Sequence, residues 1–414
     1  MFASPLRLDL RLRCTSKTPV REMSDVWPPL PIDITHLGTP CDGEIVLAAL
    51  EHRDRVCRIK LTLTNPLLER LVPKMQEPFP ALKHLYLSTC GTTQALPDIF
   101  LGGSAPRLQS FILRGIPFPG LPRLLLSATD FSHLSLYSIP HAGYNSPEAM
   151  ATNLSALTRL TDLTINFKSA ASSPDRRSRR PPPLTRVVLS ALTHMTFQGD
   201  NEYLEDFIAR VDAPRLNDLS IILFNQLVFD IPQLLQFIAH TGITKSYNRA
   251  TVIFHGTYVK FSHCPPEGTN SSRPLILGVL GGGIDRQVSC MAQICSQYSS
   301  FLPSVEQLDI RKDYCWSNSD QTPWLELFRP FTAVRTLRIS RDPQPSIAHT
   351  LQELTGERAI EVLPELDGLY LEDYQPSGPE QKAIEPFVAA RQYSDHPVAV
   401  HHWDRSGTGW LKRE

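Results

Sequence analysis

One hydrophobic pattern keeps returning along this 414-residue chain: an apolar residue, two of any kind, an apolar residue, one of any kind, and an apolar residue. It occurs as Val56/Ile59/Leu61, Leu82/Leu85/Leu87, Leu108/Phe111/Leu113, Phe131/Leu134/Leu136 and Leu160/Leu163/Ile165. It continues as Leu192/Met195/Phe197, Leu216/Leu219/Ile221, Val305/Leu308/Ile310, Val334/Leu337/Ile339 and Leu366/Leu369/Leu371. Successive copies start 23 to 32 residues apart, except for one interval of 89 between Leu216 and Val305. The last two apolar residues of each copy have strand spacing, and the first sits where the chain is still turning inward. Five copies carry a proline two residues ahead of the first apolar position: Pro80, Pro106, Pro214, Pro303 and Pro364. Proline fixes φ and removes a donor, so it marks the entry to a strand.

Between these strands lie segments with helical spacing: "NPLLERLVPKMQ", "SPEAMATNLSAL", "EYLEDFIARV", "IPQLLQFIAHT", "VSCMAQICSQY", "TPWLELFRPF" and "SIAHTLQELTGERAIEVL". One strand and one helix in about 20 to 29 residues is the leucine-rich-repeat unit. A single unit cannot bury its apolar face, whereas stacked copies share a core. The pattern therefore predicts an α/β fold, an irregular leucine-rich-repeat solenoid with parallel strands on a concave face and helices on a convex one. It is irregular because the position three residues after the last leucine, where Asn or Cys usually braces the loop, is Cys90 in one copy. Elsewhere it is Ile116, Lys168, Asp200 or Asp313.

The 89-residue interval holds "ATVIF", "TYVKF" and "PLILGVL", which predict two irregular repeats with a hairpin-like excursion. Five segments result. Residues 1–55 are expected to form an N-terminal strand and cap, and 56–239 repeats carrying an unstructured insert at 168–186. Residues 240–300 are β-rich with a loop at 263–274, 301–403 are C-terminal repeats and cap, and 404–414 are a tail. Neither insert is expected to break the array into separate domains.

Alternation also assigns an outward face. With Leu85 and Leu87 turned inward, His84, Tyr86 and Ser88 point outward, and every other strand contributes a similar set. These outward residues vary in type from copy to copy while the inward ones stay apolar, which is the signature expected of a recognition surface. The residues expected to make contact are Tyr86, Arg114, Tyr137, Arg311, Arg338 and Tyr370, because aromatic and Arg side chains dominate interface energetics.

Composition narrows the classes. The 41 basic and 42 acidic side chains nearly balance, which argues against a nucleic-acid partner. No apolar run is long enough to span a bilayer, and the N-terminus has charges within its apolar stretch, unlike a secretory signal. Eight scattered cysteines read as reduced thiols, so a cytoplasmic or nuclear monomer is expected, with the sequons at Asn153 and Asn270 coincidental.

No motif carries catalytic, cofactor or metal chemistry. The glycine run "LGVLGGGID" (277–285) lacks the Lys-Ser/Thr ending of a phosphate loop and reads as a turn between strands. His263, Cys264, Cys290 and Cys295 do not have the spacing of a closed zinc site. His401 and His402 alternate to opposite faces, and no nucleophile-elbow motif occurs. Arg176, Arg177, Arg179 and Arg180 read as a solvated linker.

The phrases "VLAALEHRDRVCRI", "MQEPFPALKHLYLS", "LPDIFLGGSAPRLQS", "GIPFPGLPRLLLSA", "EYLEDFIARVDAPRL", "WLELFRPFTAVRTLRIS" and "EPFVAARQ" resemble the repeat region of the large fungal F-box protein family. The likeness runs from Trp27 to Trp403. It implies a substrate-recognition region of a ubiquitin ligase, with a protein partner on the concave face. It also implies a cullin adaptor as partner if an F-box lies upstream. Within the chain "PLPIDITHL" (29–37) has a Leu-Pro pair typical of an F-box start, but Gly38, Pro40 and Gly43 follow and leave no room for its helices. The alternative is a repeat scaffold without a ubiquitin link, and an enzyme is the least supported reading.

Overall fold

The computed structural model describes residues 12–14, 30–36, 43–89, 91, 94–118, 123–169, 185–226, 228–241, 243, 247–264, 275–312, 323–340, 344–354, 356–372 and 379–403. The tail 404–414, the arginine-rich part of the insert, most of the loop 263–274, Cys90 and Asp313 lie outside these residues. Every triplet position found in the sequence is buried, the most exposed being Leu136 at 6%.

A recurring turn explains the prolines. The Leu82 N–H donates to the Phe79 carbonyl, and the same bond joins Leu108 to Ala105, Leu216 to Ala213, Val305 to Leu302 and Leu366 to Leu363. In all five turns the proline occupies the second of the four positions, where its fixed φ is the one the turn requires. Leu160 and Leu192 close the same turn, onto Leu157 and Leu189, without proline. Proline thus limits the unfolded chain at this corner rather than creating the corner.

Two compact units divide the chain, Met1–Leu216 and Asn217–Glu414. The segment boundaries expected at 239/240 and 300/301 both fall inside the second.

In the first unit the strands are β1 (Leu12–Cys14), β2 (Ile32–His36), β3 (Val56–Leu63), β4 (His84–Thr89), β5 (Ser110–Arg114), β6 (His133–Ile139), β7 (Asp162–Phe167), β8 (Val187–Val188), β9 (His194–Gly199) and β10 (Val211–Asp212). They pair in the order β1-β2-β3-β4-β5-β6-β7-β9, all parallel, with β8 and β10 forming a separate parallel pair. The register stacks the repeats triplet on triplet: Leu85 lies between Ile59 and Phe111, and Leu87 between Leu61 and Leu113. The same ladder extends into the turns, where Lys83 donates to Cys57, Gln109 to Lys83, Ser132 to Gln109, Thr161 to Ser132 and Thr193 to Thr161.

Helices α1 (Gly43–Leu50), α2 (Asn65–Lys74), α3 (Arg123–Leu126), α4 (Pro147–Leu154) and α5 (Asn201–Ile208) fill the connections. The start of α4 follows from its sequence: Ser146 caps it by accepting from the Ala149 N–H at 3.2 Å, and Pro147 opens the first turn. Tyr203 of α5 fixes which sheet face the helices cover. Its ring lies 4.8 Å from that of Phe167 and 5.8 Å from that of Phe197, both inward residues.

In the second unit the strands are β11 (Asp218–Phe224), β12 (Arg249–Phe254), β13 (Tyr258–Cys264), β14 (Leu275–Leu280), β15 (Gln307–Lys312), β16 (Thr336–Ile339), β17 (Gly368–Glu372) and β18 (Ala399–Trp403). Their order is β11-β14-β13-β12-β15-β16-β17-β18. Pairing is parallel except where β13 runs against β12 and β14. The long interval is thus a three-stranded meander whose outer strands each continue a parallel array. Among the described residues neither set of strands closes on itself.

Helices α6 (Pro232–Thr241), α7 (Ile284–Gln297), α8 (Trp324–Phe328), α9 (Gln344–Gln352) and α10 (Pro379–Tyr393) complete the unit. Trp324 of α8 packs edge-on to Phe254 of β12, with ring centroids 5.4 Å apart. Arg391 of α10 is fully buried and donates to the carbonyls of Pro364 (3.1 Å) and Leu366 (2.7 Å), tying that helix to the turn before β17. None of the helices described is long and apolar enough to cross a membrane.

The glycine run corrects one expectation, since it joins β14 to α7 rather than one strand to another. Gly281 and Gly282 adopt φ of +92° and +81°, a region that side-chain-bearing residues rarely enter, and so turn the chain within two residues.

Candidate interaction face

With the helices on one side, the alternate residues of each strand occupy the other. Cations and tyrosines meet there across neighbouring strands. Lys60 on β3 and Tyr86 on β4 are direct partners, and the ammonium lies 5.8 Å from the ring centroid. Arg114 on β5 and Tyr137 on β6 repeat the arrangement at 5.8 Å. In the second unit Arg338 on β16 lies 5.7 Å from the Tyr370 ring on β17, and Tyr370 stacks on His401 of β18 at 4.7 Å. Lys60, Arg114 and His401 are exposed, whereas Tyr86, Tyr137, Arg338 and Tyr370 are half-buried. Each ring holds its cation by attraction to the π face, and the polar ends of the exposed Lys60 and Arg114 stay in water.

One polar cluster on this face escaped sequence reasoning. Asp162 on β7 is flanked by His133, whose Nε2 is 3.2 Å from one carboxylate oxygen, and by His194, whose Nδ1 is 3.4 Å from the other. Ser132 Oγ stands 2.7 Å from His133 Nδ1, which gives the Ser-His-Asp order of a hydrolase. The rest of the geometry assigns the hydroxyl a different task. Ser132 donates to the Gln109 carbonyl at 3.2 Å, Thr161 to the Ser132 carbonyl and Thr193 to the Thr161 carbonyl, both at 3.1 Å. The same brace repeated on three successive strands is a device for holding repeats in register. A Ser or Thr immediately before the first outward position was its sequence signal.

Arg311, expected to make contact from the outward face, is instead buried: it is 7% exposed, and Asp309 beside it is fully buried. Asp309 Oδ2 accepts from Arg249 at 2.6 Å and from Arg311 at 3.0 Å, while Oδ1 accepts from Gln307 at 2.9 Å. Alternation gave the side of the sheet but not the depth. A carboxylate shared by two guanidiniums draws all three groups out of water into one hydrogen-bonded layer. Beside it a cleft of about 360 Å³ is lined by Arg249, Gln307, Arg335, Thr336, Glu306 and Asp367, which contribute as many acidic as basic groups.

His263 and the thiols serve packing. His263 is wholly buried among the rings of Tyr247, Phe261 and Tyr298, with its Nδ1 2.9 Å from the Tyr298 hydroxyl. Burial lowers its pKa to about 4, so it is neutral near pH 7. Burial pushes the thiols of Cys264, Cys290 and Cys295 up, which keeps them protonated and poorly nucleophilic. Among the described residues no three His, Cys, Asp or Glu side chains stand where they could share a metal ion.

Of the six residues expected to make contact, Arg114 with Tyr137 and Arg338 with Tyr370 are therefore each other's neighbours. Tyr86 is joined by Lys60, which sequence reasoning had placed outward without singling it out, and Arg311 belongs to a buried ion cluster. His401 and His402 occupy successive positions on β18 with opposite orientations, opposite Tyr370 and Leu371 respectively. Neither a protein-family model nor a curated protein matches the chain.

Proposed function

We propose that the chain is a protein-recognition module of the leucine-rich-repeat type, with the strand face opposite the helices as its binding surface. The observation that carries this reading is the recurrence of cation and tyrosine partners on that face, at Lys60/Tyr86, Arg114/Tyr137 and Arg338/Tyr370. Large, partly ordered aromatic and cationic groups give contact area at low entropic cost, which is why interfaces favour them. The apolar triplets beneath supply a rigid platform, and their constancy frees the outer positions to vary. The resemblance to fungal F-box proteins makes the captured protein a substrate for ubiquitylation, with the cullin adaptor engaged through an F-box outside these repeats.

The test uses the full chain as bait, followed by mass spectrometry of what is retained. A partner lost by an Arg338→Glu/Tyr370→Ala variant and kept by Lys74→Glu, on the exposed side of α2, supports the reading. Retention of every partner by the face variant contradicts it. Ubiquitin linkage is tested separately, by whether the chain extended upstream binds the cullin adaptor; failure there leaves a scaffold without that link.

A further inference from the structure

We infer that the outward face of β3 to β6 takes an acidic polypeptide segment, one rich in Asp and Glu; this rests on the protein-recognition reading and names the partner's chemistry. The outward positions of these four strands, all among the described residues, carry Arg58, Lys60 and Arg114 and no carboxylate. The whole chain has 41 basic and 42 acidic side chains, so the excess is local to this face. The flanking strands close it off with Asp33 on β2 and Asp162 on β7, and Asp162 is already engaged by His133 and His194.

Lys60 and Arg114 are exposed, and among the described residues neither has a carboxylate partner. Each is instead steadied on a tyrosine ring, which directs N–H donors toward an incoming acceptor. The two cations sit two strands apart and one outward position apart along the strand. Strand spacing and rise place their backbones about 12 Å apart. An extended peptide spans that distance in about four residues, so carboxylates spaced i and i+4, which share one face of the extended chain, reach both cations together. Two exposed cations, each with a tyrosine ring beneath it, suit such a peptide better than a nucleic acid, which needs a longer basic track and open rings on which bases stack.

Fluorescence anisotropy of the full chain tests this with three labelled probes: a 12-residue Asp/Glu-rich peptide, its Asn/Gln counterpart, and a 12-nucleotide single-stranded RNA. The acidic peptide is expected to bind at least tenfold more tightly than the neutral one and to weaken as salt rises. Lys60→Glu/Arg114→Glu is expected to weaken it at least tenfold, and the milder Lys60→Gln/Arg114→Gln several-fold. Lys74→Glu/Arg107→Glu, an equal charge change at exposed positions off this face, is expected to leave binding unchanged. Circular dichroism of each variant reports whether it is folded. Equal affinity for the neutral peptide, tighter binding of the RNA, no binding of any probe, or an unaffected folded Gln variant each overturns the inference. A partner captured through Arg338 and Tyr370 that the acidic peptide does not displace would preserve the broader reading while removing this one.

Discussion

Arg338 lies over the ring of Tyr370, its guanidinium carbon 5.7 Å from the ring centroid, and the register makes the two direct partners on adjacent parallel strands. Pairing in register is what turns a chance contact into a repeated one, because parallel strands bring the same outward position of each repeat side by side. A double-mutant cycle with Arg338→Ala and Tyr370→Ala is expected to give a coupling of about 0.5 to 1 kcal/mol in unfolding free energy. Additive effects would mean that the two groups do not interact in solution.

Adjacent residues on β4 should behave in opposite ways. Leu87 is fully buried, so Leu87→Ala is expected to cost about 2 to 5 kcal/mol by urea denaturation. Tyr86, half-buried on the other face, should cost about 1 kcal/mol or less when replaced by Ala. Similar losses for both would mean that β4 does not present alternate faces to core and solvent.

Asp309 holds the largest concentration of buried charge described here. Asp309→Asn removes the buried charge that Arg249 and Arg311 share, and the expected loss is about 3 to 5 kcal/mol. Asp309→Asn/Arg249→Gln/Arg311→Gln removes all three charges together and should recover part of that loss. If the triple variant proved the less stable of the two, uncompensated charge would not be the cause.

His263 makes stability depend on pH. Its native pKa of about 4 lies below the ordinary value of 6.5, so between those values the unfolded chain binds a proton that the native chain does not. The imidazole's contribution is therefore fully present above pH 6.5 and is lost as pH falls toward 4. Between pH 7.5 and pH 5 this single group removes about 2 kcal/mol. His263→Gln should flatten the melting temperature over that interval by this group's share, measured by circular dichroism. An unchanged slope would place the acid sensitivity elsewhere.

Much of the fold was legible because its signals are local. The apolar triplets and their leading prolines state strand position, facing and turn within eight residues, and the structure uses Pro80 and its four counterparts at one position of one turn. The parallel pairing follows from repeated strands separated by helices. The meander between Leu216 and Val305 was less legible, since "TYVKF" alternates in the same way whichever direction it runs. That β13 opposes its neighbours depends on distant pairing.

The face was legible in part for a similar reason. Alternation placed Arg114, Tyr137, Arg338 and Tyr370 on it and could not say that they partner one another, which requires the register between strands. It also counted Arg311 among the contact residues, although that side chain is buried. Burial of Asp309 depends on Arg249, 60 residues away on a strand whose pairing the sequence does not announce.

The most direct measurement of the central claim is site-specific photocrosslinking of the full chain in cell extract, with a benzophenone amino acid placed in turn at Tyr137 and at Glu69. Tyr137 lies on the outward strand face, and Glu69 is exposed on α2 among the helices. The account predicts a discrete partner adduct from position 137 and none from position 69. An adduct from position 69 alone, or from neither, would contradict it.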